Sequence, residues 1–343
     1  MPHNSPFKLT LHIGGAKCGS SAIQAFLAQN AEALAARGVG VPDTGLGFGG
    51  DVTGEQIWAF ENAVTHDIRT AALAEKLATL FAQAEARDLS QLVLSAENVC
   101  NHGALAELMR KAIGARPTEI IFYVRRQDDL LISSWQQWHL KLYDTVDAFL
   151  ADRVGRLGCW LQMIEPWADA FGDDAIVVRP FSREQLLGGD VVADFCAAAG
   201  IEADGLEKLG QDANPSFDEA LGRLAHRVRD VFDDQHDNRF YEVMVRLLGR
   251  ASLKQGSGSS LLDLDTRRRI VGRYAEENEA LKQRFLPDFG EAPLFRPPAP
   301  RDVREVSEAD QLSHDIAMLT RAVFALAERA ERSGDAKAME PRG

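Results

Sequence analysis

Polar and apolar residues alternate along residues 7–13, Phe-Lys-Leu-Thr-Leu-His-Ile, which is the period of a β-strand. A small-residue loop, Gly14 to Ser21, follows, and then Ile23, Phe26, Leu27 and Leu34 recur on one helical face up to Gly38. Strand, glycine loop and helix in that order open an α/β fold. Residues 66–87 repeat the helical spacing, Leu92-Val93-Leu94 is a short buried strand, and 104–114 is again a helix. Residues 119–124, Glu-Ile-Ile-Phe-Tyr-Val, are apolar enough for a strand covered on both faces. Ala175-Ile176-Val177-Val178 supplies a fourth strand. The alternation predicts a P-loop-like central parallel sheet flanked by helices.

Beyond about residue 190 the pattern is mostly helical, with helices over 190–199, 216–232 and 265–285. Residues 43–55 and 252–260 are rich in glycine or serine and read as surface loops. Prolines crowd residues 291–300, which reads as an extended linker. A last helix over roughly 306–332 spaces Leu312, Ile316, Leu319, Val323 and Leu326 by four and three, a heptad seam. The expected organisation is an α/β domain over 1–290, a linker over 291–305, an amphipathic helix over 306–333 and a disordered tail over 334–343. Such a seam is usually a packing stripe. Its separation by the linker favours a homodimer or a return onto the body.

The 343 residues are 45% hydrophobic and 26% charged, as in an ordinary globular protein able to bury a sizeable core. The net charge of −13 argues against nucleic acid or an anionic membrane as partner, while leaving room for a local basic pocket. Cys18, Cys100, Cys159 and Cys196 form no CxxC pair and read as reduced thiols of a cytoplasmic protein. No signal peptide, membrane span or metal-ligand cluster is expected.

Two segments carry chemistry. In the first loop, Gly14-Gly15-Ala16-Lys17-Cys18-Gly19-Ser20-Ser21, glycines let backbone N–H groups turn toward an anion, and the helix start adds its own. The GxxxxG spacing resembles a Walker A loop. Ser20 stands where that loop needs lysine, which disfavours an ordinary kinase or ATPase. The second segment follows strand 119–124: Arg125-Arg126-Gln127-Asp128-Asp129, with Ser133 eight residues after Arg125. Arginines at the carboxyl end of a buried parallel strand point to the crevice where such sheets bind ligands. A guanidinium there offers a fork for phosphate. A surface pair of Arg125 or Arg126 with Asp129 is the plain alternative.

Together the segments resemble the sulfotransferases that use 3′-phosphoadenylyl sulfate. Lys17-Cys18-Gly19-Ser20-Ser21 is similar to their 5′-phosphosulfate loop, with Cys18 where threonine or serine is usual. Arg125, Asp129 and Ser133 match the spacing of their 3′-phosphate motif, and Arg-Arg-Gln is the form of bacterial carbohydrate-type members. Arg179-Pro180-Phe181, Asp194-Phe195, Asn214-Pro215-Ser216, and Tyr274 to Asn278 with Leu281 extend the resemblance over roughly residues 8–287. The resemblance implies transfer of a sulfuryl group to a hydroxyl or amine of a carbohydrate or small-molecule acceptor, without metal. Gly15 to Ser21 would hold the 5′ end, Arg125 and Ser133 the 3′-phosphate, and Lys17 the charge on the leaving oxygen. The base would be Glu97, just after the second core strand, or His102; His12 and His139 are weaker candidates. Trp58, Phe60, Trp135 and Trp138 could line the adenine or acceptor site, though core packing explains each. A degenerate P-loop kinase and a nucleotide-binding protein without catalysis are the competing readings.

Overall fold

The computed structural model describes residues 7–56, 60, 67–208, 219–253 and 258–338; Trp58 and Asn214 to Ser216 lie outside them. The elements in chain order are β1 (Lys8–His12), α1 (Ser20–Gln29), α2 (Ala31–Ala35), β2 (Val39–Gly40), α3 (Asp67–Ala86), β3 (Gln91–Ser95), α4 (Gly103–Ile113), β4 (Thr118–Val124), α5 (Gln127–Gln137), α6 (Val146–Arg153), α7 (Trp160–Phe171), β5 (Ile176–Pro180), α8 (Val191–Ala199), α9 (Glu219–Arg227), α10 (Arg239–Leu248), α11 (Leu264–Arg273), α12 (Ala275–Phe285) and α13 (Glu308–Ala338).

The chain forms two compact units. The first comprises residues 1–130, 155–214 and 271–296. Its sheet is wholly parallel, in the order β2-β3-β1-β4-β5. β1 occupies the centre because Leu9, Leu11 and Ile13 are buried on one face, while Thr10 and His12 are buried on the other. Parallel strands need helices on both faces to bury both sets of side chains. In α1 the helical spacing sets Ile23, Phe26 and Leu27 on one face, and they enter the same core as Phe122, Trp160 and Phe195. Within the proline-rich stretch, Leu294 and Phe295 are buried in this core too.

The second unit comprises residues 131–154, 215–270 and 297–343. Trp135, Phe149 and His139 form an aromatic cluster there, with Trp135 also against His226. Trp135 is thereby a core residue. The buried Glu219 carboxylate accepts hydrogen bonds from the hydroxyls of Ser259 and Ser260 and pairs with Arg304. Ser259 also bonds the backbone of Asp302, so the serine-rich loop is tied to the chain before α13.

Local differences from the sequence pattern have physical causes. The helix expected over 265–285 is two helices that break at Tyr274, whose φ/ψ of −105°/7° is not helical. The Tyr274 hydroxyl donates to the Leu157 carbonyl and accepts from the Gly155 N–H. β2 has only two residues, too few to show a period. α7 holds Pro166 in its interior, a residue that ordinarily interrupts a helix, and so was not legible as one. α13 continues to Ala338, past the expected end of the last helix. Among the described residues no helix is long and apolar enough to cross a membrane.

Candidate active site

The carboxyl ends of β1, β3 and β4 converge on the loop Gly14–Ser21. The loop turns through left-handed backbone at Gly14, Lys17 and Gly19, with φ of 63°, 62° and 85°. Only two of these are glycine. Lys17 holds a conformation that costs a side-chain-bearing residue energy, of order 1–3 kcal/mol, unless its surroundings impose it. They do: the Glu97 carboxylate accepts the Lys17 backbone N–H, and Arg125 Nη1 donates to the Lys17 carbonyl at 2.8 Å. Gly15 is required for another reason. A Cβ there would sit 2.4 Å from the Tyr123 carbonyl oxygen, so the loop lies directly on the end of β4.

The loop presents donors. Ser20 is buried at the start of α1 and its Oγ has no hydrogen-bond partner. The backbone N–H groups of Gly19, Ser20 and Ser21 bond to nothing among the described residues. An unpaired buried hydroxyl beside a helix start costs stability, and an anion there would satisfy it. Ser21 is exposed, and Ala16 is half-buried.

Lys17 lies close enough to Arg125 and Glu97 to feel both charges. Burial and the Arg125 charge lower Lys17 to about 8, with Glu97 opposing. Burial raises Glu97 above its ordinary value, Glu55 adds to the rise, and Lys17 works against it. A carboxylate held in a partly dry site beside a cation has the environment of a general base. His102 lies five residues further on, between the turn at 99–101 and α4, and is half-buried. His12 and His139 are buried. Desolvation lowers His12 to about 3, and its Nδ1 bonds Ser95 Oγ at 2.8 Å; His139 Nδ1 bonds Ser134 Oγ at 3.0 Å. Both are core residues. Cys18 is buried beneath the loop with Sγ toward the Ala16 carbonyl, and burial pushes its thiol up to about 12. Desolvation outweighs the Arg125 and Lys17 charges, which act to lower it.

The paired arginines divide their tasks. Arg126 is buried and grips Asp128 through Nε and Nη2 at 2.6 and 2.9 Å, with Asp129 3.2 Å away. Arg125 pairs with no carboxylate among the described residues. It is half-buried, bonded to the Lys17 carbonyl and stacked 5.7 Å from the Phe181 ring centroid. Ser133 lies two turns into α5 and belongs to the second unit.

The outlying motif residues support this end of the first sheet. Asp194 accepts from the Tyr123 hydroxyl at 2.8 Å, from Arg179 and from the Leu187 N–H. Asn278 and Gln127 exchange amide hydrogen bonds at the start of α5. Phe181 sits where a Cβ on Gly19 would meet it at 2.9 Å.

Glu55 had no local signal as a site residue, whereas Phe181 was marked by the Arg179-Pro180-Phe181 motif. Glu55 arrives because Gln56 docks on β3: its backbone N–H reaches the Ser95 carbonyl and its Oε1 accepts from the Ser95 N–H. Asp43 holds the preceding glycine loop by accepting N–H groups from Gly45, Gly47, Gly49 and Gly50.

The fold is that of a P-loop-like α/β protein, with the glycine loop at the carboxyl edge of its sheet. No protein-family model matches the chain. A protein of Archaeoglobus fulgidus, described as uncharacterized, is 25% identical over 179 residues, 52% of this chain. The match takes in 48% of that relative, so the chain spans about half the length of the curated relative it matches. A solved sulfotransferase structure from Alicyclobacillus acidocaldarius superposes with a TM-score of 0.36 at 17% identity, over 60% of this chain and 87% of that one.

Proposed function

We propose that the chain is a sulfotransferase that moves a sulfuryl group from 3′-phosphoadenylyl sulfate to a hydroxyl or amine of a carbohydrate or other small molecule, in the reducing cytoplasm. The observation that carries the reading is the hydrogen bond from Arg125 to the Lys17 carbonyl, which joins the two anion motifs read in the sequence. The unpartnered Ser20 hydroxyl and the free N–H groups at the start of α1 fit a 5′-phosphosulfate.

The donor supplies an activated sulfuryl group on a nucleotide phosphate that leaves as a stable anion. In this reading Gly15 to Ser21 hold the 5′ end, with Cys18 contributing backbone alone. Arg125 binds the 3′-phosphate. An anion at the loop raises Lys17 back toward its ordinary value, so the ammonium stays protonated and takes up charge on the leaving oxygen. Glu97 accepts the acceptor's proton, since burial leaves its carboxylate basic enough to do so. Removing that carboxylate also removes the acceptor of the Lys17 N–H, so Glu97 has a second task in holding the loop.

The test is differential scanning with adenosine 3′,5′-bisphosphate and with AMP, both without magnesium. A larger rise in Tm with the bisphosphate is expected, because a ligand of the native state stabilises by mass action. Equal shifts would remove the 3′-phosphate site. A magnesium-dependent shift with ATP alone would favour the degenerate kinase.

A further inference from the structure

The last helix, α13, has two distinct faces. Through Asp315, Met318 and Ala322 it is buried against α9 and α10 of its own unit, and Arg223 pairs with Asp315 at 2.7 Å. These residues are not the heptad seam. Leu312 (47% exposed), Ile316 (55%), Leu319 (44%), Val323 (64%) and Leu326 (52%) stay open to solvent. The spacing that a chain would use to pack on itself is thus left uncovered by its own unit.

We infer that this seam pairs with the same seam of a second copy, as a parallel two-stranded coiled coil. Three observations select that occupant. The spacing repeats strictly by four and three, which is the coiled-coil period rather than the broader stripe of a helix lying on a domain. Assigning Ile316 and Val323 to a positions puts Leu312, Leu319 and Leu326 at d, and β-branched a with leucine d favours a two-stranded parallel pair. One flank of the seam, Ser313, Thr320 and Ala327, carries no charge, while on the other Asp315 pairs with Arg223, Ala322 is buried and Arg329 donates to the Arg246 carbonyl, all within its own unit. These charges are held within each copy, so no like charges oppose across the pair. An anionic bilayer fits the face poorly, because the basic border of a membrane-surface helix is missing and the chain carries −13.

The area suffices. The five side chains expose roughly 500 Å² per copy, so pairing removes about 1,000 Å² from water, the lower limit of a specific interface. Monomers seldom leave a contiguous apolar patch beyond a few hundred Å².

Sedimentation equilibrium of the full chain at tens of micromolar tests this. Twice the chain mass is expected for the wild type, and the single-chain mass for Leu319→Glu with an unchanged far-ultraviolet spectrum. Phe324→Glu, exposed but off the seam, should stay dimeric. The four native thiols are buried, so Ile316→Cys adds the one exposed thiol among the described residues, and a parallel in-register pair brings it against its own copy. Rapid disulfide-linked dimer on mild oxidation supports the assignment. A monomeric wild type, a Leu319→Glu variant that is still dimeric, a Phe324→Glu monomer, or a dimer whose Ile316→Cys form fails to cross-link would each overturn it.

Discussion

Arg125 and Arg126 are adjacent and identical in type but have different partners, so replacing each by alanine separates the proposed binding role from folding. Arg126 is 6% exposed and its partner Asp128 is fully buried. Removing one partner of a buried ion pair strands the other charge and costs about 3–5 kcal/mol. Against a total stability of roughly 5–15 kcal/mol, that is a large share. Each kcal/mol moves Tm by about 2–4 °C in a domain of this size class, so Arg126→Ala should melt roughly 6–20 °C lower. Arg125 has no carboxylate to strand. Its loss removes the bond to the Lys17 carbonyl and the charge-assisted contact to phosphate, about 1.5–3 kcal/mol of binding. That corresponds to a bisphosphate Kd weaker by about 10- to 150-fold. Scanning calorimetry reads the first effect and titration calorimetry the second. If Arg125→Ala binds normally while the folded Arg126→Ala variant has lost binding, the register of the motif is wrong and Arg126 is the phosphate ligand.

Glu97→Gln should keep bisphosphate binding and lose turnover by about 10²–10⁴-fold, read in a sulfate-transfer assay. Glu97 also opposes the lowering of Lys17, so chemical labelling of Lys17 against pH should titrate below about 8 in that variant; an unchanged titration would separate the two residues. Alkylation of Cys18 should be slow with or without nucleotide by mass spectrometry, since burial holds the thiol at about 12; fast labelling that nucleotide blocks would place the sulfur in the site. Gly15→Ala should destabilise by about 1–3 kcal/mol or more, through the clash with the Tyr123 carbonyl, and wild-type urea stability in that variant would refute the close approach. Burial alone would raise Asp194, but bonds from Arg179, the Leu187 N–H and the Tyr123 hydroxyl hold it below its ordinary value. Its contribution is therefore complete above the ordinary carboxylate range and is lost as pH falls through the folded value. The stability gap between wild type and Asp194→Asn should narrow toward acid in urea titrations, and a constant gap would deny the linkage.

Alternation along residues 7–13 and short apolar runs at 92–94, 119–124 and 175–178 were enough for the strands Lys8–His12, Gln91–Ser95, Thr118–Val124 and Ile176–Pro180, and helical spacing for α1, α3, α4 and α8. These lie in or against the sheet, where burial ties each side chain to a face and the face is written in the sequence. The glycine loop and the arginines after β4 were also legible, because a strand end and a helix start create donors locally. What depended on the whole fold was which group each charge meets. Arg125 and Arg126 are neighbours in sequence, and packing alone decided that Asp128 takes the second and the Lys17 carbonyl the first. Cys18 stands beside a lysine at a helix start, as a reactive thiol would, yet its burial overrides both influences. Glu55 reaches the site only because Gln56 docks on β3, a contact between residues 39 apart. The heptad on α13 was visible as a spacing, whereas its exposure was settled by Asp315, Met318 and Ala322 packing on the other face. Local patterning reports the desolvation a residue needs, but the neighbours that supply or deny it come from segments far along the chain.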